Sequence, residues 1–167
     1  MALTTNKRVL LARFDRETLA GFVQTPGAFG AESIELLTPE GALLQVPYQE
    51  TKLVCFVRDF EAGETWREHR AFSTRPKSAG LWVRLLFRDG DSIEGMVPNN
   101  LMLLEPAGFS IVPPDPTFQN QRMFVPKAAL ADVQVLGVIG SPLKRRPAKK
   151  VDEDRGQLEM FEDPPRI

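Results

Sequence analysis

Apolar and polar positions alternate over short stretches in this chain, and the alternation occurs twice. Val9-Leu-Leu-Ala12 leads through Asp15-Arg16 into Leu19, Gly21 and Val23. Val83-Arg-Leu-Leu-Phe87 leads through Asp89-Gly90 into Ile93, Gly95 and Val97. The pairs Val9/Val83, Leu11/Leu85, Asp15/Asp89, Leu19/Ile93, Gly21/Gly95 and Val23/Val97 all stand 74 residues apart. A period of two predicts strands, and Asp-Gly predicts a tight hairpin because Gly takes positive φ at low steric cost.

The likeness continues downstream. Ile34–Glu40 matches Phe109–Asp115 at an offset of 75, and Val46-Pro47 matches Val125-Pro126 at 79. Val54-Cys-Phe56 then matches Val133-Gln-Val135, again at 79. Each half therefore reads as five short strands with no helical period, which predicts an all-β fold of two tandem small five-stranded barrels. The expected organisation is a first barrel over residues 7–60, a connecting hairpin and linker over 61–80, and a second barrel over 81–140. Phe60, Trp66 and Phe72 of the connection are expected to pack between the barrels. Residues 141–167 change abruptly to charged residues and read as a disordered tail. Gly21 and Gly95 are expected where the sheet must bend.

Composition narrows the function. Over 167 residues the chain carries 21 Lys+Arg against 22 Asp+Glu, which excludes a global basic field for nucleic acid but not a local patch. Fourteen Pro and 12 Gly favour short elements and many turns. One cysteine allows no intrachain disulfide, and one histidine no His-rich metal site. The N-terminus lacks a signal-peptide core, and no apolar run has the length of a membrane helix. A cytoplasmic location without membrane association is expected, and no cofactor is implied.

Phe87-x-x-Gly90-x-x-Ile93-x-Gly95-x-Val97 resembles the first motif of Sm-like proteins. Lys52–Phe60, Leu81–Gly90 and Asn120–Val125 resemble an uncharacterised bacterial family of Sm-like domains, a likeness that covers roughly residues 7–140. It implies tandem Sm-like/SH3-like barrels and no established activity. RNA-binding members hold a base with an Asp and then an Asn, and Pro98-Asn-Asn-Leu-Met-Leu-Leu104 has no matching Asp; the second Sm motif has no clear counterpart.

Chemistry-bearing residues read as structural. Cys55, inside Leu53–Val57, is expected to be buried, with a raised thiol pKa. His69, among Arg67, Glu68 and Arg70, is expected at the surface. Asp15 and Asp89 are expected to cap their turns. Arg84 and Arg88 are expected on the solvent face of one strand. No set of residues proposes an enzyme. In the tail, Gln157, Leu158, Met160 and Phe161 resemble the pentapeptide that docks bacterial proteins on the sliding clamp. The resulting expectation is a non-catalytic binding or adaptor module whose barrels bind a protein and whose tail adds a second contact. The alternative is nucleic-acid binding, with Lys144, Arg145, Arg146, Lys149 and Lys150 as a phosphate-contacting arm.

Overall fold

A computed structural model of the chain describes residues 5–140 except residue 118. The first half holds β1 (Thr5–Arg13), β2 (Thr18–Thr25), β3 (Ser33–Leu37), β4 (Leu43–Pro47) and β5 (Thr51–Val57). The second holds β6 (Gly80–Phe87), β7 (Ser92–Val97), β8 (Gly108–Ile111), β9 (Asn120–Pro126) and β10 (Leu130–Ile139). The fold is all-β, as the period of two predicted.

The two halves repeat one another in register. Val9 pairs with Gly21 and Val83 with Gly95; Leu11 pairs with Leu19 and Leu85 with Ile93. On the other side of the first strand, Val9 pairs with Phe56 and Val83 with Val135. Phe22 pairs with Leu37, and the matching Met96 bridges Val112. Ile34 pairs with Val46, and Phe109 with Val125.

The strands do not close into two separate barrels. A seven-stranded sheet runs β4-β3-β2-β1-β5-β9-β8, and a three-stranded sheet runs β10-β6-β7. β5 takes β9 of the other half as its outer neighbour, through pairs such as Val54–Phe124 and Cys55–Met123. The expectation that each half would enclose its own core is corrected accordingly. One cluster holds Val9, Leu11, Ile34, Leu36 and Val54 with Phe124 of β9. The other joins Leu10, Ala12, Leu53 and Cys55 to Val83, Leu85, Ile93 and Ile111. β1 and β5 thus bury both faces, which is why Val9–Ala12 and Leu53–Phe56 are unbroken apolar runs.

The glycines mark a close approach. A Cβ on Gly21 would stand 2.6 Å from the Leu37 carbonyl oxygen, and one on Gly95 would stand 2.7 Å from Ile111 Cδ1. The third strand of each half crosses its second strand at that point.

The connection is not the expected hairpin. Phe60–Ala62 and Thr65–Arg67 are single 3-10 turns. Asp59 caps the first by accepting from the Glu61 amide at 3.2 Å, a local bond that competes with strand pairing. Trp66 is buried in the core shared by both halves, Phe60 meets Phe22 edge-on at 5.5 Å, and Phe72 meets Trp82 at 6.3 Å.

Candidate functional site

Among the described residues, β10 is the outermost strand of its sheet and pairs with β6 alone. Its counterpart in the repeat is β5, which is covered by β9. The consequence shows in matched side chains. Val54 and Phe56 are 0% and 6% exposed, whereas Val133 and Val135 are 37% and 60% exposed. Val138 continues the exposed stripe. An uncovered strand edge offers a row of backbone donors and acceptors to another chain.

The start of this edge is shaped. A cleft of about 260 Å³ lies there, lined by Phe109, Lys127, Leu130, Ala131, Asp132 and Val133. Lys127 Nζ stands 5.8 Å from the centre of the Phe109 ring, and Asp132 Oδ1 accepts from the Val133 amide at 2.8 Å. The cleft combines an apolar wall with one charge of each sign, the furniture of a side-chain pocket beside a strand. On the loop after β7, Leu101 and Met102 are 82% and 89% exposed, with Leu103 and Leu104 also outward.

The residues singled out from sequence have separate fates. Asp15 and Asp89 cap their turns, accepting from the Glu17 and Asp91 amides at 3.0 and 3.2 Å. Cys55 is buried, and desolvation pushes its thiol pKa up. His69 is half-buried rather than fully at the surface, its amide donating to the Thr65 carbonyl. Arg84 faces outward from β6 and pairs with Glu94, whereas Arg88, also exposed, lies just past the end of that strand and stacks on Phe14 at 4.0 Å. Gln157, Leu158, Met160 and Phe161 lie outside the described residues, as do Lys144, Arg145, Arg146, Lys149 and Lys150.

The bare β10 edge is absent from the sequence reading, although the match of Val54–Phe56 with Val133–Val135 contained half of the signal. Among the described residues, no helix is long and apolar enough to cross a membrane.

The class is therefore an all-β protein built from two copies of a five-strand unit, joined through one sheet and, among the described residues, left open at the last strand. The chain belongs to DUF6982, a family of unknown function whose profile matches residues 5–137. No curated protein and no solved structure matches it.

Proposed function

We propose that this chain is a non-catalytic binding module that captures an extended segment of a partner protein along β10. The carrying observation is the contrast between Val54/Phe56, covered by β9, and their counterparts Val133/Val135, which none of the described residues covers. The chain itself supplies the pattern for such a complex: an antiparallel strand laid against the fifth strand of a unit. Main-chain bonds give affinity in this mode, and the pocket at Phe109 and Lys127 gives specificity. The strand order common to both halves supports reading each as an Sm-like unit. The tail supplies the second contact, with Gln157 at the rim of the bacterial sliding clamp and Leu158, Met160 and Phe161 in its apolar pocket. Tethering two weak sites raises avidity without any new contact.

The probe for β10 is a labelled peptide of the sequence Asn120–Pro126, the strand that covers β5. It is expected to bind the full chain with a Kd of about 100 μM. Val135→Lys abolishes this binding, and Leu44→Lys, at the far end of the larger sheet, leaves it intact. Light scattering on the same samples identifies the partner as a second copy if self-association is seen and Val135→Lys dissolves it. If the peptide does not bind and the chain does not self-associate, the β10 reading is overturned. The tail is tested separately with a peptide spanning Arg155–Pro165 and purified sliding clamp, where Gln157→Ala with Phe161→Ala abolishes binding. No binding by the wild-type peptide at high micromolar concentration removes the clamp.

A further inference from the structure

We infer that a cleft at the meeting of β1, β5 and β9 binds a small organic phosphate. The cleft has a volume of about 770 Å³, within the range of small-molecule sites. Lys7 and Arg8 come from β1, Arg58 from the end of β5, and Gln121 from β9 of the other half. It shares no residue with the β10 edge, and Gln121 brings the second half into its lining.

The charge in it is uncompensated. Arg13, Lys52, Arg67, Arg70 and Arg84 each pair with a carboxylate. Among the described residues, Lys7, Arg8 and Arg58 pair with none, and no Asp or Glu lines the cleft. Neutral groups orient the arginines instead. Arg8 Nη1 donates to the Arg58 carbonyl at 3.1 Å. With the Gln121 amide turned so that its oxygen faces Arg58, that oxygen accepts from Nε at 2.9 Å and from Nη2 at 3.2 Å. Neutral acceptors hold a guanidinium without cancelling its charge, so both arginines keep a full positive charge with which to attract a phosphate.

The remaining walls describe the rest of the ligand. Phe22, half-buried, and Leu37 and Pro39 offer an apolar surface to a ring or short carbon body. Thr38 Oγ1 accepts from the Ala42 amide at 3.1 Å, which leaves its own proton to donate. Gly41, at φ +89°, turns the loop at this rim. A phosphate between Arg8 and Arg58 with a planar body over Phe22 satisfies every wall, and a nucleoside monophosphate is the simplest molecule with that chemistry.

The experiment is calorimetric titration of the full chain with adenosine monophosphate, inorganic phosphate, adenosine and an oligothymidylate. Adenosine monophosphate is expected to bind with a Kd of about 1 mM or tighter, inorganic phosphate more weakly, and adenosine not at all. Arg8→Gln and Arg58→Gln each weaken binding about tenfold or more, while Arg75→Gln, outside the cleft, does not. Unchanged circular dichroism and thermal melting keep the two variants interpretable. If the oligothymidylate binds through Arg8 and Arg58 with a steep salt dependence, the phosphate recognised is that of a strand. The site is overturned if adenosine binds as well as its monophosphate, if the two variants bind like wild type, or if no phosphate probe binds at about 10 mM.

Discussion

The Lys52 ammonium and the Asp89 carboxylate meet at 2.6 Å, tying the last strand of the first half to the first hairpin turn of the second. Asp91, two residues on, holds the same ammonium at 2.6 Å. Lys52 is 5% exposed, and its Nζ also stands 5.0 Å from the Phe87 ring centre and 5.6 Å from that of Trp66. A buried ammonium is tolerated only with such partners. Asp89 therefore has two duties: one oxygen caps its own turn, and the other receives Lys52 from across the domain.

Lys52→Ala is expected to lower unfolding free energy by about 2–3 kcal/mol, because it strips the stem from the core and leaves two carboxylates facing each other. The value sits below that for a fully buried pair because both carboxylates are more than a third exposed. Urea unfolding at neutral pH measures it.

The same cluster sets a pH dependence. The Lys52 hydrogen bond, aided by the charges of Lys52 and Arg70, holds the Asp91 carboxyl below its ordinary value. A lowered folded pKa contributes stability above the unfolded value of about 3.9, and that contribution disappears as pH falls through the folded value. Asp91→Asn is therefore expected to be less stable than wild type at pH 7, with the difference shrinking steadily below about pH 4. Urea melts across that range decide it; a difference that stays constant refutes the linkage.

Gly21→Ala is expected to cost more than Gly95→Ala, at about 3 against about 2 kcal/mol. The new methyl would strike the backbone oxygen of Leu37 in the first case and the side chain of Ile111 in the second. Ile111→Val, which removes the atom 2.7 Å away, is expected to recover part of the Gly95→Ala loss. It offers nothing to Gly21→Ala, and a double-mutant series reads the difference.

Arg16→Gly is expected to stabilise by about 1 kcal/mol, since Arg16 holds φ at +70° where the second half uses Gly90 at +92°. Thermal denaturation measures the gain.

Glu94→Ala is expected to cost about 2–3 kcal/mol. The buried carboxylate accepts from Trp82 Nε1 and the Phe72 amide, both at 3.1 Å, and from Arg84 Nη2 at 3.0 Å. Removing it leaves the Trp82 and Phe72 donors unpaired and deprives the more exposed Arg84 of its partner, whereas Glu94→Gln keeps an acceptor and is expected to cost less. The Trp82 fluorescence shift accompanying unfolding follows both.

The sequence by itself determined the strands of each half and the turns at Asp15 and Asp89, though its hairpin in the connection gave way to 3-10 turns. Those strands and turns follow from a period of two, from turn residues and from glycines at a fixed spacing, all of which act over neighbouring positions. The recurrence of Val9 and Gly21 as Val83 and Gly95 was legible for that reason, and the structure sets each valine opposite its glycine. Tertiary structure alone decided what covers each strand. Val54 and Val133 are the same residue in the same register, yet one lies under β9 and the other faces outward. An apolar pattern specifies that a face seeks cover but not which strand supplies it. The same limit hid the cleft: Arg8, Arg58 and Gln121 are far apart in the chain and look like ordinary surface positions until β9 crosses to β5 and brings them to one place.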